Sequence, residues 1–216
     1  MVMPGFYIQT AAIALVIGYL LGNFPSAVFI SRYILKDDVR AHGSGNPGST
    51  NMKRTFGNRW GVVTFLLDAG KCVLAILLGR WMGRVWGLVP AAPAFGTALA
   101  GYFGGTGAVL GHCWPVFSHF KGGKGVACHY AFMAMTFLWP AGAVIAAVTL
   151  TVYFFSHRIS LVSLTASLLF FILCLVSRKE VPYLWCFALV NMAVIFIRHT
   201  ENIKRLLKGT ESTVDY

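Results

Sequence analysis

Residues 126–155 read VACHYAFMAMTFLWPAGAVIAAVTLTVYFF, and the number of times this run crosses a bilayer decides the fold. It contains no Lys, Arg, Asp or Glu. A helix needs about 20 apolar residues to cross the hydrocarbon, within a range of roughly 17–25. The run is too long for one crossing, and Trp139-Pro140-Ala141-Gly142 in its middle is turn-like. It therefore reads as two short spans. Five further apolar segments accompany it: Phe6–Ile30, Gly61–Gly79, about Gly87 to Leu110, Leu161–Val176 and Val181–Ile197. The expected fold is an all-α integral membrane protein with seven transmembrane helices, forming one polytopic domain over residues 1–216.

Seven spans place four polar segments on one side: Ser31–Trp60, His119–Gly125, Ser156–Ser160 and Arg198–Tyr216. Thirteen of the 18 Lys and Arg lie in them: Arg32, Lys36, Arg40, Lys53, Arg54, Arg59, Lys121, Lys124, Arg158, Arg198, Lys204, Arg205 and Lys208. Arg80, Arg84, Arg178 and Lys179 fall on the opposite side, and Lys71 lies within a span. Excess Lys and Arg marks the cytoplasmic face. The expected topology has the N-terminus outside and the C-terminus in the cytoplasm. A single span over 126–155 would put Phe120–Gly125 and the tail on opposite faces, against this asymmetry.

Composition agrees. Only 12% of residues are charged and 57% are hydrophobic, whereas soluble domains carry about 25% charged residues. Mean hydropathy is +0.69. The net charge of +11 would suggest nucleic acid in a soluble protein. Here the basic residues flank apolar segments, so membrane lipid and phosphorylated small molecules are the expected partners, with no nucleic acid. Cys72, Cys113, Cys128, Cys174 and Cys186 form no C-x-x-C pair and read as small buried hydrophobes. The opening MVMPGFYIQT has no basic n-region or clear cleavage site, so the first apolar segment reads as retained.

Three polar stretches can carry chemistry. The first is HGSGNPGSTN, His42–Asn51, followed by Met52-Lys53-Arg54. Gly43, Gly45 and Gly48 free the backbone to gather N–H groups around an anion. Ser44, Ser49, Thr50 and Asn51 add side-chain donors, and Arg54 adds a guanidinium fork for phosphate. An ordinary flexible loop has the same composition. The second is FKGGKG, Phe120–Gly125, in which Lys121 and Lys124 precede an apolar helix. This suits a phosphate at a helix N-terminus, or simple anchoring at the headgroups. The third is RHTENIKRL, Arg198–Leu206. His199 and Asn202 share a helix face there, and His199 can exchange a proton near neutral pH. A polar helix end on the membrane surface fits equally. His157-Arg-Ile-Ser160, with Ser163 one turn on, is a weaker signal. Asp68 and Lys71 are charged residues inside a span, which are costly and are paired or functional. Their spacing allows them to pair with each other.

Several chemistries lack their motifs. No His is followed five positions later by Asp, and G-x-S-x-G and H-E-x-x-H are absent. Seven carboxylates without a cluster make a two-metal mechanism an unlikely design, and no metal or cofactor is expected.

Together GSGNPGSTN, GHCWPVFSHFKGGKGVA and RHTENIKRLLKGTE closely resemble the three signature segments of the bacterial membrane acyl-phosphate:glycerol-3-phosphate acyltransferase family. GNFPSA and LLDAGK resemble it too, so the resemblance runs from about Gly22 to Glu211. Ser49 stands where that family commonly has Ala, Cys128 where it has Thr, and Cys72 where it has Gly. The resemblance implies transfer of an acyl group from acyl phosphate to the sn-1 hydroxyl of glycerol 3-phosphate, giving lysophosphatidic acid and phosphate. It also implies seven membrane helices in the cell's inner (plasma) membrane, with the active site facing the cytoplasm. It assigns Arg54 and Lys124 to phosphate binding and charge stabilisation. Ser44, Ser163 and the Gly43–Gly48 backbone shape the polar site, with Gly43, Gly45, Asn46, Gly48, Asn51, Lys121 and Ser160 as substrate contacts. Ser44, Lys124, His199 and Asn202 form the expected catalytic set, with His199 and Asn202 orienting substrate. Either His199 or the donor's own phosphate oxygen can take the hydroxyl proton. A peripheral enzyme producing acyl phosphate is a further partner that this donor would require. From the residues alone, a transporter of phosphorylated metabolites or a lipid-binding scaffold are the competing classes. A transporter would commonly show an internal repeat, which is not evident here.

Overall fold

The computed structural model describes residues 4–86, 93–136, 139–179 and 183–213, and every regular element among them is helical. The chain divides into two units, Met1–Met135 and Thr136–Tyr216.

In the first unit, α1 (Pro4–Gly22) breaks before α2 (Ser26–Phe29), which continues as a wider π-helical turn over Ile30–Ile34. Pro25 lacks an N–H and disfavours helix in the residue before it. Asn23 consolidates the break: its Nδ2 donates to the Tyr19 carbonyl and its Oδ1 accepts from Val116 N, both at 2.5 Å. The span expected over Phe6–Ile30 is thus interrupted, and its second part runs past the expected boundary. Ser31, expected to open the polar stretch, is buried and accepts a hydrogen bond from Val39 N.

After α3 (Ser49–Phe56), Gly57 turns the chain at φ +90° into α4 (Asn58–Trp86). Few L-residues tolerate that φ. Ala27, Ile30, Val39 and Met52 form a buried apolar cluster, covered by Leu35, Phe56, Trp60 and Val63. Full burial of such side chains contributes about 1.5–3 kcal/mol each, which fixes the polar loop to the start of α4. The helix also outlasts the expected Gly61–Gly79. Arg80 and Arg84, expected in a loop, lie within it. No proline interrupts it, and the Arg80 guanidinium donates to the Met135 carbonyl.

α5 (Pro93–Cys113) packs against both α1 and α4. Lipid tails provide little hydrophobic drive between helices, so close van der Waals contact must hold them. A Cβ on Gly107 or Gly111 would fall on Leu15 or Tyr19 backbone, and one on Gly104 would fall on the Ala75 carbonyl. α6 (Val126–Thr136) lies against α5, with the Phe132 and Tyr102 rings 6.4 Å apart.

The second unit holds α7 (Trp139–Ser156), α8 (Ile159–Val176), α9 (Leu184–Arg198) and α10 (Thr200–Leu207). α8 packs on both α7 and α9. α9 and α10 meet at a 65° bend.

Gln9–Ile34, Asn58–Trp86 and Ile159–Val176 are long and apolar enough to cross a membrane, and the bent α9–α10 pair makes a fourth if taken as one span. Within the 126–155 run the described helices are α6 and α7, and residues 137 and 138 between them lie outside the described residues. With 11 residues, α6 rises about 16 Å, roughly half the hydrocarbon thickness. The turn expected at Trp139–Gly142 is instead the first turn of α7. The starts expected at Gly87 and Val181 lie outside the described residues.

Candidate active site

The Gly-rich loop is organised from below by Asn51. Its Oδ1 accepts from Ser44 N at 3.0 Å, and its Nδ2 donates to the Val39 and His42 carbonyls, each at 3.0 Å. Asn51 is buried. Both its amide protons are engaged by backbone, so it shapes the loop and does not supply the donors expected for phosphate. Gly43 and Gly45 have φ of +55° and +68°, the left-handed conformation anticipated for this loop. A Cβ on Gly43 would collide with Asn51 Oδ1 and come within 3.4 Å of Arg54 Cδ, so the Arg54 side chain lies beside Gly43. Ser44 is exposed, Asn46 and Gly48 are half-buried, and Arg54 on α3 is exposed.

Charge at the loop's entrance is fixed by two aspartates. Asp38 pairs with Arg32 and Arg40, each at 2.8 Å, and caps the 39–41 turn through Arg40 N. The Arg40 side chain, acting against partial burial and helped by Arg32, holds its carboxyl well below the usual range. His42 Nε2 donates to Asp37. That hydrogen bond, then the Asp38 N–H, lowers the Asp37 carboxyl too.

Lys121 is exposed and Lys124 half-buried, directly before α6. Between them, Gly123 N donates to the His112 carbonyl at 3.1 Å. A small recess is lined by Asn23, Ser26, Pro47, His112, Lys121 and Gly123, among others. It brings the rim of the first loop, at Pro47, to the second. Beside it lies a buried charged cluster. Lys71 Nζ is 2.9 Å from Asp68 Oδ1 and 2.9 Å from His112 Nδ1, and Ser26 Oγ donates to Asp68 at 2.9 Å. The possible pairing of Asp68 with Lys71 is therefore observed. His112 and Ser26 were not anticipated as its partners.

In the second unit, His199 occupies the α9–α10 bend and is 2% exposed. Its Nδ1 lies 2.8 Å from the Ile195 carbonyl. A carbonyl only accepts, so Nδ1 carries a proton and Nε2 holds the lone pair of the neutral ring. Ser163 donates to the Ile159 carbonyl within its own helix. Ser160 and Asn202 converge on a residue that received no role from the sequence, Glu211. Ser160 Oγ and Asn202 Nδ2 donate to its Oε1 at 2.7 and 2.5 Å, and Arg205 Nε to its Oε2 at 2.7 Å. Burial opposes the charge on Glu211, but these hydrogen bonds outweigh it and lower its pKa. Glu211 closes the third signature stretch, which was the only signal for it. Among the described residues, no group of three or more His, Cys, Asp or Glu is placed to hold a metal ion.

The family model for glycerol-3-phosphate acyltransferase matches residues 12–209. A glycerol-3-phosphate acyltransferase of Neisseria meningitidis serogroup C is 39% identical over 93% of this chain and 96% of its own. One from Caulobacter vibrioides is 40% identical over 95% of this chain and 88% of its own. The fold matches crystal structures of PlsY (YgiH), an integral membrane glycerol 3-phosphate acyltransferase, in its glycerol 3-phosphate and lysophosphatidic acid forms. The TM-score is 0.76 with 33% identity in each case. The glycerol 3-phosphate form is covered over 96% of its length and the lysophosphatidic acid form over 95%, each by 95% of this chain.

Proposed function

Because this chain belongs to the glycerol-3-phosphate acyltransferase family, as an integral membrane enzyme of the PlsY type, we propose that it acylates the sn-1 hydroxyl of glycerol 3-phosphate, with acyl phosphate as donor. The observation that carries this reading is the likeness, along nearly the whole chain, to a protein solved both with glycerol 3-phosphate and with lysophosphatidic acid. Those two molecules are the acceptor and the product of such a transfer.

The hydroxyl oxygen attacks the acyl carbonyl carbon. The bond from that carbon to the phosphate oxygen breaks, and phosphate leaves with the electron pair. Phosphate is a good leaving group, so neither a covalent nucleophile nor a metal is required. The hydroxyl proton passes to the departing phosphate. Arg54 and Lys124 hold phosphate charge, and Lys124 gains from its place before α6, where the helix dipole favours an anion. Lys121 adds a second cation at the same loop. The backbone of Gly43, Gly45 and Gly48, with Ser44 and Asn46, forms the neighbouring polar wall. His199 orients substrate near the reacting carbonyl through hydrogen bonding. Asn202 and Ser160 act in concert with Glu211, and Ser163 completes that polar face.

The chain acts as one polytopic domain of seven spans, 1–216, in the inner membrane, with these loops facing the cytoplasm. The thirteen-to-four distribution of Lys and Arg supports that orientation. A peripheral enzyme that makes acyl phosphate is the partner such a donor calls for. The test is purified protein in vesicles with acyl phosphate and labelled glycerol 3-phosphate. Labelled lysophosphatidic acid and phosphate should form in equal amounts. Passage of label into the vesicle lumen without acylation would indicate a transporter instead.

A further inference from the structure

Lys71 lies inside α4, 8% exposed, and has no part in the mechanism above. Its ammonium faces three acceptors: the Phe24 carbonyl at 2.8 Å, Asp68 Oδ1 at 2.9 Å and His112 Nδ1 at 2.9 Å. An ammonium has three protons and no lone pair. A charged Lys71 donates to His112 Nδ1, and the same nitrogen lies 3.4 Å from Asp68 Oδ1, so the imidazole is held by both members of the ion pair. The Nε2 edge abuts Gly123, where an added Cβ would overlap the ring. The His112 carbonyl accepts from Gly123 N at 3.1 Å, and a Cβ on Gly122 would overlap that same oxygen. Two consecutive residues of the Lys121–Lys124 loop thus rest on one histidine, whose Nδ1 is held by the Lys71–Asp68 pair.

A buried ion pair is a poor source of stability, since well-packed apolar residues often replace it without loss. Charge inside a membrane helix calls for a further reason. We propose that Lys71 is a positioning residue for the acyl transfer. With Asp68 as its counter-ion, it locks His112 as the seat of Gly122–Gly123 and so holds Lys124 against substrate phosphate. The inference rests on the reading of this loop as a phosphate cradle.

Lys71→Met alone would leave the Asp68 carboxylate buried and unpaired, so the test uses Asp68→Asn/Lys71→Met, which removes both charges. Gly123→Ala disturbs the seat from the loop side and leaves the ion pair intact. Both proteins are purified in detergent, checked for a single size-exclusion peak, and assayed beside Lys124→Ala and the combined variants. Misplacing a reacting group by about 1 Å can cost 10²-fold, so about a 10²-fold loss of kcat is expected from either change. Amide exchange in the 119–125 peptide should quicken while α5 peptides remain protected. Adding Lys124→Ala to either variant should cost little more than Lys124→Ala alone, because both act through one loop. Multiplicative losses, or unchanged exchange at 119–125, would overturn the role of Lys71 and leave the phosphate cradle standing. Full activity of Lys124→Ala would overturn the cradle and this inference with it. If the double variant gives no single peak, Gly123→Ala decides on the same readouts, and full activity in that protein counts against the proposal.

Discussion

Lys124 stands directly before α6, where an ammonium can meet phosphate charge in a partly desolvated cleft. Lys124→Ala is expected to lower kcat by about 10²–10³-fold, or roughly 3–4 kcal/mol, the usual cost of losing one preorganised electrostatic contact. Lys124→Arg should recover only part of this, because a planar fork does not replace a compact ammonium. Steady-state kinetics on the purified variants checks both. His199→Gln keeps a hydrogen-bonding side chain but cannot serve as a titrating base. It should retain some activity, and the acidic limb of its pH–rate profile should persist, reporting the donor phosphate. An active His199→Gln enzyme without that limb would point to His199 as the base. Glu211 supplies a third test. Its carboxyl is lowered from 4.5 by Asn202, Ser160 and Arg205 acting against burial. Its stabilising contribution is complete above 4.5 and is lost as pH falls through the lower folded value. Protection at residues 209–213, taken relative to the intrinsic exchange rate at each pH, should hold from neutral pH to about 4.5 and fall below it. Glu211→Gln should be less protected throughout, with a weaker acid dependence. Arg54, Lys124, His199 and Asn202 stood out as candidates because each sits in a polar motif beside an apolar run. Glu211 and His112 were not, since their meaning depends on Ser160, 51 residues away, and Lys71, 41 residues away.

Helix α5 is where glycines decide packing. Gly104 lies between α1 and α4: a Cβ on it would strike the Ala75 carbonyl, and one on Gly18 would strike the Gly104 carbonyl. Gly104→Val should destabilise by at least the 1–3 kcal/mol (about) typical of overpacking. The loss should appear as a lower melting temperature in detergent, whereas Gly70→Ala, with open space around its Cβ position, should melt close to the parent. Apolar run length revealed most of the helices, whereas Pro140-Ala141-Gly142, expected as a turn, lies in the first turn of α7. Other boundaries were hidden for physical reasons. The α1 break depends on Asn23 reaching Val116, 93 residues away. α4 passes its expected end because Arg80 finds a carbonyl at Met135, 55 residues on. Hydropathy treats that arginine as a terminus, whereas a partner makes it an interior residue.

For the molecule as a whole, composition alone indicates a membrane protein, and the asymmetry of Lys and Arg is the basis of the proposed orientation. Single cysteines at Lys121 and Thr210, both exposed, in a Cys-less background should react with an impermeant reagent only from the cytoplasmic side, and those at Arg84 and Lys179 only from outside. Lys121 and Thr210 labelling from opposite sides would contradict the seven-span arrangement. The broad chemistry was legible because three long motifs occur in order, while the donor is the finer point on which the mechanism depends. In the proposed reaction the acyl phosphate arrives activated, so no covalent nucleophile is called for. The deciding measurement is the initial rate of lysophosphatidic acid formation by the purified enzyme, with EDTA present, from acyl phosphate and, separately, from acyl-CoA or acyl-carrier protein. Rapid turnover with acyl phosphate and none with the thioesters is the predicted result; efficient turnover with acyl-CoA alone would contradict it.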